Sequence, residues 1–141
     1  MKGVVFTGDR KLEINDFPDP APGPRDVILE IKASGMCGSD LHRYRASFSP
    51  GDTSSGFKMA DEPKIAGHEP CGIVAELGTA VTNLEAQVGQ RVMDHHYEGC
   101  GSCKHCKGGW QQMCLDGTTV FGSSGHGAHA RADLCCSRVR G

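Results

Sequence analysis

The chain has 141 residues, with 15 basic and 17 acidic side chains and a formal net charge of −2 at pH 7. This length suffices for a single buried core, and the balanced charge lacks the positive excess of a surface that binds nucleic acid or anionic lipid. No apolar stretch approaches the roughly 20 residues of a membrane span, and the opening residues predict no secretory leader. We therefore expect a cytoplasmic protein that binds neither nucleic acid nor membrane.

The composition also contains eight cysteines and 20 glycines. Because cytosolic thiols are kept reduced, we expect the cysteines to bind metal rather than to form disulfides. The glycines and the seven prolines separate short runs rich in Val and Ile, and this pattern predicts many strands joined by turns, with few helices.

The first 58 residues predict three strands, a short helix and a loop. MKGVVFTG and KLEINDFPDP are two strands around a turn at residues 8–10, and the prolines from Pro18 onward must end the second strand. Residues 26–33 alternate apolar and polar side chains as a half-buried strand does, and Ser34 and Gly35 close it. CGSDLHRYR then predicts one or two helical turns that open near Cys37. Residues 47–58, rich in Ser and Gly, predict a mobile loop.

The β pattern continues in the second half, except in one segment. Residues 65–77 are predicted to begin irregularly and to end as a strand. After a turn at 78–87, residues 88–93 predict a further strand, and residues 118–122 predict another. Between residues 98 and 117 the chain is rich in Cys, Gly, Lys and His and has almost no apolar periodicity. Something other than apolar packing must therefore hold this segment together.

Four cysteines in that segment have the spacing C-x2-C-x2-C-x7-C: Cys100, Cys103, Cys106 and Cys114. Such a spacing lets four thiolates surround one Zn²⁺ ion tetrahedrally. Zinc binding of this kind provides on the order of 10 kcal/mol, enough to order a lobe that lacks apolar anchors. Because protein sulfur would fill all four coordination positions, the spacing favours a structural role over a catalytic one.

The alternatives for these cysteines are an iron–sulfur cluster and unliganded thiols. Bacterial ferredoxin motifs also begin C-x2-C-x2-C, but their next Cys follows after three residues and precedes Pro. Here Cys114 follows after seven residues and precedes Leu115, so we favour zinc. His105 lies within the loop and could replace one sulfur, although four well-spaced thiols make that unnecessary.

A second set of candidate ligands begins with CGSDLH at residues 37–42. Cys37 lies at the expected helix start, where exposed amide groups and the helix dipole favour the metal-binding thiolate. The alternative for Cys37 is simple packing as a small buried side chain. Ser39 and His42 are three residues apart and share a face of the helix, so a hydroxyl and an imidazole could pass a proton outward.

GHEP, at residues 67–70, supplies the other half of this set. Burying a His–Glu pair in an irregular segment between Gly and Pro costs free energy unless a metal ion or a charged partner contacts these side chains. Adjacent side chains of an extended chain point to opposite faces, so we assign His68 as a ligand and Glu69 to a supporting position. Asp40 would orient the imidazole of His68, and a solvated acid at the helix start is the equal alternative.

Together these segments resemble the zinc-dependent medium-chain alcohol dehydrogenases. The matching motifs are GMCGSDLH at 35–42, AGHEPCGIVAELG at 66–78, VGQRV at 88–92 and GCGSCKHCKGGWQQMC at 99–114. The resemblance implies a mainly β fold with short helices, a GroES-like, partly open β-barrel with a zinc-binding lobe at about residues 98–117. Residues 1–141 would then be a catalytic-domain fragment, with the nucleotide-binding Rossmann domain absent from this chain.

The resemblance also implies an activity: oxidation of a primary or secondary alcohol or polyol to an aldehyde or ketone with NAD⁺ or NADP⁺. Cys37 and His68 match ligands of a catalytic zinc, a Lewis acid, and Glu69 matches a nearby carboxylate that can approach the ion. The four cysteines of the lobe match the ligands of a structural zinc. Ser39 and His42 match the proton-relay positions. Family members are commonly homodimers or homotetramers.

Several features depart from the family pattern. The third ligand of the catalytic zinc lies further on than Gly141, so we expect the fragment alone to be inactive. Gly122, Gly125 and Gly127 give the reverse of a dinucleotide fingerprint and predict turns. RADLCCSRVRG, at residues 131–141, replaces an expected apolar strand, which suggests a truncated or frame-shifted coding sequence. The alternative function is a zinc-binding interaction module that performs no chemistry.

Overall fold

A computed structural model describes residues 1–47, 62–130 and 137–138. Strands dominate it: β1 (Lys2–Gly8), β2 (Lys11–Asp16), β3 (Asp26–Gly35), β4 (Glu69–Leu77), β5 (Arg91–Met93), β6 (Tyr97–Glu98), β7 (Thr119–Val120) and β8 (Ser137–Arg138). The helices are short: α1 (Gly38–Arg45), α2 (Lys104–Lys107) and a 3-10 turn at Gln111–Met113. The mainly β prediction is confirmed. The predicted loop beyond Ser47 and most of residues 131–141 lie outside the described residues.

The described strands form three antiparallel sheets, with the orders β1-β2, β5-β4-β3-β8 and β6-β7. Strand β1 is bonded to segments other than β2 as well, because the amide of Val4 donates to the carbonyl of His129 and its carbonyl accepts from the amide of Ala66, both at 2.8 Å. These bonds join the β1–β2 sheet to the segments around Ala66 and His129. In the part of the chain that the structure describes, no helix is long and apolar enough to cross a membrane.

The turn between β1 and β2 positions helix α1. Asp9 and Arg10 have positive φ angles of 50° and 61°, an uncommon conformation for residues other than glycine. Their amides donate to the carbonyls of Ala46 and Tyr44, both at 2.8 Å. These bonds satisfy the backbone of the turn and fasten it to the C-terminal end of α1.

The core follows the predicted alternation along β3, with one exception. Val27 and Leu29 belong to one core cluster with Val74, and Ile31 packs against that cluster, as a period of two residues requires. Ile28 lies outside this cluster but is only 4 % exposed. The prediction of a half-buried strand is therefore wrong at Ile28, where the pairing register with β4 also shifts.

Two predicted strand boundaries are also wrong. Strand β3 continues through Ser34 and Gly35, because both residues pair with the first two residues of β4. The strand predicted from residue 88 begins only at Arg91, because Gly89 has a φ of 86° and its amide donates to the carbonyl of Val74 at 2.8 Å. The segment before β5 is therefore a turn against β4.

Gly122 lies in a turn, as predicted, whereas Gly125 forms an isolated bridge with Phe121 at the end of that turn and Gly127 lies in irregular chain beyond it. The amides of Gly125 and of the two serines before it converge on the carbonyl of Val120, which limits the strand predicted at 118–122 to β7. A side chain at Gly127 would collide with the carbonyl of Gly67. The close packing of these two glycine segments fixes the approach of the chain to His68.

Candidate metal centres

The four-cysteine lobe lies between β6 and β7, whose antiparallel pairing closes it at the base. The lobe contains α2 and the 3-10 turn and exposes its larger apolar side chains: Trp110, Met113 and Leu115 are 57, 55 and 65 % exposed. This exposure agrees with the expectation that the segment builds no hydrophobic core.

The Sγ atoms of Cys100, Cys103, Cys106 and Cys114 all lie within 4.8 Å of one another. Three backbone amides, those of Cys100, Cys103 and Cys106, donate hydrogen bonds to sulfur atoms of the cluster at 3.2, 3.4 and 3.5 Å. Hydrogen bonds of this kind favour the thiolate form. His105, considered as a substitute ligand, contributes its carbonyl to the turn by accepting from the Trp110 amide at 2.9 Å.

The thiol pKa values of this cluster diverge. Donation from the Cys106 amide is the main cause that lowers the pKa of Cys103 to about 6, and donation from the Ser102 hydroxyl lowers the pKa of Cys100. Burial raises the pKa of Cys106 to about 11, and the neighbouring thiols add to the increase. Adjacent sulfurs resist simultaneous ionisation unless a cation balances them. A soft divalent ion resolves this conflict, so the donor set fits Zn²⁺.

The second centre begins at the N-terminus of α1. Cys37 is the N-cap residue, its Sγ accepts from the Ser39 amide at 3.3 Å, and its own amide donates to Asp40 Oδ2 at 3.0 Å. This reciprocal capping box confirms that the helix opens at Cys37. The Ser39 hydroxyl lies 2.9 Å from the sulfur, and its hydrogen bond is the main cause that lowers the pKa of the Cys37 thiol.

His68 reaches the same point from the segment before β4. Its Nε2 lies 3.1 Å from Cys37 Sγ, and its Nδ1 lies 3.3 Å from Asp40 Oδ1. The side chain of Asp40 is only 2 % exposed, so the alternative of a solvated helix-start acid is wrong. A carboxylate against Nδ1 leaves the Nε2 lone pair directed toward Cys37. Cys37, Asp40 and His68 therefore form a cluster that fits a zinc ion, with fewer protein donors than the lobe.

The other residues selected from the sequence lie around this cluster. Ser39 Oγ is 3.4 Å from His68 Nε2, and its side chain is exposed. His42 lies three residues further along α1, also exposed. The Glu69 carboxylate lies over Gly35, where a side chain would collide with it, and it is not among the clustered donor atoms. The catalytic roles of Ser39, His42 and Glu69 stay predictions.

His96, in the connection between β5 and β6, lies beside this cluster although no sequence pattern indicated it. Its ring centroid is 5.2 Å from that of His68. Burial, followed by the charges of His68 and His95, lowers the pKa of His96. The available signal was the pair of histidines just before the four-cysteine segment. That pair lacks a metal-ligand spacing, and nothing local indicates that His68 folds against it.

Comparison with known proteins places the chain among dehydrogenases. Residues 23–137 match the alcohol dehydrogenase GroES-like domain. A probable zinc-binding alcohol dehydrogenase of Mycobacterium tuberculosis is 37 % identical over 135 residues, which cover 95 % of this chain and 32 % of that protein. An L-threonine 3-dehydrogenase of Cutibacterium acnes is 36 % identical over 134 residues, which cover 93 % of this chain and 36 % of that enzyme.

The fold resembles solved structures as well. CAD from Helicobacter pylori, solved in complex with NADP(H), superposes with a TM-score of 0.74 at 28 % identity, over 94 % of this chain and 38 % of that one. The GroES-like fold prediction is confirmed. The chain spans about a third of the length of the curated relatives it matches.

Proposed function

Because the chain belongs to the alcohol dehydrogenase GroES-like domain family, we propose that it carries the metal- and substrate-binding side of a zinc-dependent dehydrogenase. The reaction is oxidation of a primary or secondary alcohol or polyol to an aldehyde or ketone. NAD⁺ or NADP⁺ accepts the hydride and is bound by a separate nucleotide-binding domain. Residues 1–141 alone bind metal without turnover. The whole enzyme is cytoplasmic and is a homodimer or homotetramer.

One observation carries this proposal: His68 Nε2 lies 3.1 Å from Cys37 Sγ, with the buried carboxylate of Asp40 against the opposite ring nitrogen. Sulfur and imidazole nitrogen are preferred donors for Zn²⁺. The cluster is partly exposed, and its small donor set leaves room for a substrate oxygen, as catalytic zinc sites require. The four sulfurs of the lobe leave no such room, so we assign the structural zinc there and the catalytic zinc here.

When bound at this cluster, zinc supplies a Lewis acid that polarises the substrate oxygen and favours loss of its proton. Cys37 and His68 would hold the ion, and Asp40 would keep a proton on Nδ1 so that Nε2 presents its lone pair. The exposed hydroxyl of Ser39 would accept the proton of the substrate hydroxyl while it donates its own hydrogen outward toward His42 and solvent. Glu69 provides a further carboxylate that can approach the ion.

Metal counting on the reduced chain, followed by activity measurements on the full-length gene product, tests this proposal. We expect two zinc ions per chain, one of them lost in Cys37→Ser, and alcohol-dependent reduction of NAD⁺ or NADP⁺ that the same substitution abolishes. Zinc found only in the lobe, with no alcohol-dependent reduction, would contradict the proposal and favour a zinc-binding interaction module. A colourless sample would exclude the iron–sulfur alternative.

A further inference from the structure

His96 has a position in the second centre that the proposed reaction does not use. The residue lies between β5 and β6, and its carbonyl accepts from the Phe121 amide at 3.0 Å. Its ring packs against Tyr97 with centroids 4.2 Å apart. These contacts fix the imidazole at one place beside His68, with part of its surface exposed.

His96 is close to the metal cluster without belonging to it. In the described residues outside the four-cysteine lobe, the donor atoms grouped within 4.8 Å of one another are those of Cys37, Asp40 and His68. The His96 ring centroid is nevertheless only 5.2 Å from that of His68. A small molecule that reaches the ligand face of His68 therefore lies within reach of His96 as well.

The ring nitrogens of His96 are available to such a molecule. Within the described part of the chain, neither nitrogen makes a hydrogen bond, and the ring's contacts are with His68, His95 and Tyr97. An imidazole can donate from one nitrogen and accept at the other. A half-buried imidazole favours a ligand that supplies a polar partner, because an alkyl chain against it would leave its nitrogens without one.

From this geometry we infer that His96 is a specificity-determining residue and that the substrates are vicinal diols, alcohols with a second hydroxyl group on the adjacent carbon. One hydroxyl occupies the centre formed by Cys37 and His68, and the other hydrogen-bonds to His96. A simple alkyl alcohol makes only the first contact. This inference rests on the proposed function, since it names the substrate class of the same site.

The experiment uses the chain itself, loaded with Co²⁺ in place of zinc so that visible absorption reports on the metal. The difference between spectra of the chain and of its Cys37→Ser variant isolates the second centre. Propan-1-ol and propane-1,2-diol, which differ by one hydroxyl, are titrated against this signal. We expect the diol to bind about tenfold more tightly, the change that one hydrogen bond of ordinary net strength provides.

Three variants identify the source of this preference. His96→Phe keeps an aromatic ring against Tyr97 but removes both nitrogens, so it should abolish the diol preference and leave propan-1-ol binding unchanged. His96→Gln retains a donor and should keep part of the preference. His95→Phe, at the exposed neighbouring residue, is the matched control and should behave as the unmodified chain.

The outcomes separate this inference from the proposed function. If the unmodified chain shows no diol preference, or if His96→Phe retains it because the diol holds the metal through both oxygens, the inference is wrong. The proposed function survives either result as long as propan-1-ol perturbs the Cys37-dependent signal. If that signal is missing, or if neither alcohol perturbs it, both proposals fail.

Discussion

The four-cysteine lobe and the Cys37–His68 cluster use similar soft donors but are assembled in opposite ways. In the lobe the outermost cysteines are 14 residues apart, and α2 and the turns around it contain the intervening chain. Cys37 and His68 are 31 residues apart, and they meet because β3 pairs with β4 and α1 follows β3 directly. We therefore expect the lobe to need a metal ion in order to fold, whereas the cluster should need a folded sheet before it can bind an ion.

The largest effect should come from breaking the lobe. Cys114→Ser removes one of four thiolates, and because structural zinc binding provides on the order of 10 kcal/mol, we expect loss of this ion and unfolding of the segment between β6 and β7. Zinc content should fall from two ions to one, and hydrogen exchange should accelerate across residues 99–117.

Cys71→Ser provides the control for this substitution. Cys71 is a half-buried thiol in β4, outside both clusters, so both ions should remain bound. A lobe that stays protected from exchange in Cys114→Ser would contradict the claim that metal orders it.

The second-largest effect should come from His68, at the site where metal binding depends on a sheet that folds without the ion. His68→Ala should weaken metal binding at the Cys37 cluster by at least about 100-fold, the upper range for loss of a supporting residue, while the lobe keeps its zinc. Because the β3–β4 pairing does not depend on this ion, the melting temperature of the metal-free chain should change little. Competition with a chromophoric chelator measures the affinity. If His68→Ala weakened metal binding at both sites equally, the sites would not be independent.

A smaller effect is expected at Asp40, which serves both the helix and the imidazole. Asp40→Asn keeps an oxygen for the Cys37 amide but removes the charge beside His68, so metal affinity at this cluster should fall about 10- to 100-fold. Asp40→Ala also removes the cap and should cost about 1 kcal/mol in addition. Chelator competition and thermal unfolding of both variants separate the two roles. Identical melting temperatures would argue against the capping role.

The smallest expected effect is a loss of stability at acidic pH, through the segment that precedes His68. His126 Nδ1 accepts from the Ile65 amide at 3.2 Å, which only a neutral imidazole can do. Burial, with the charge of Lys64, lowers the pKa of His126 below its usual value of 6.5. Near and below pH 6.5 the unfolded chain therefore binds more protons than the folded chain. The contribution of this hydrogen bond to the free energy of unfolding is complete above pH 6.5 and is lost as the pH falls through the lower pKa of the folded state.

Stability of the metal-free chain against urea, measured between neutral and mildly acidic pH, should therefore decline toward acid by about 1 kcal/mol, the net value of one hydrogen bond. His126→Phe should flatten that decline, and the exposed His95→Phe should not. Backbone amide protection from hydrogen exchange at Ile65 should decrease over the same pH range. If the free energy of unfolding of His126→Phe declined toward acid as steeply as that of the unmodified chain, His126 would not be the cause.

Much of the framework could be read from local patterns. The hairpin β1–β2 ends just before the prolines, Cys37 caps the start of α1, and the chain turns at Gly122. Each of these patterns acts over a few residues. The errors arose at contacts between distant strands. The bulge at Ile28 and the extension of β3 through Gly35 depend on how β4 pairs, and no pattern within β3 reports that.

The candidate sites divide in the same way. The spacing of Cys100, Cys103, Cys106 and Cys114 by itself determined a compact four-sulfur site, because so short a segment allows few other ways to satisfy four thiolates. The burial of Asp40, its contact with Nδ1 of His68 and the place of His96 beside that ring were decided only by tertiary structure. Those side chains come from separate elements, and they meet because β4 pairs with β3 on one side and with β5 on the other.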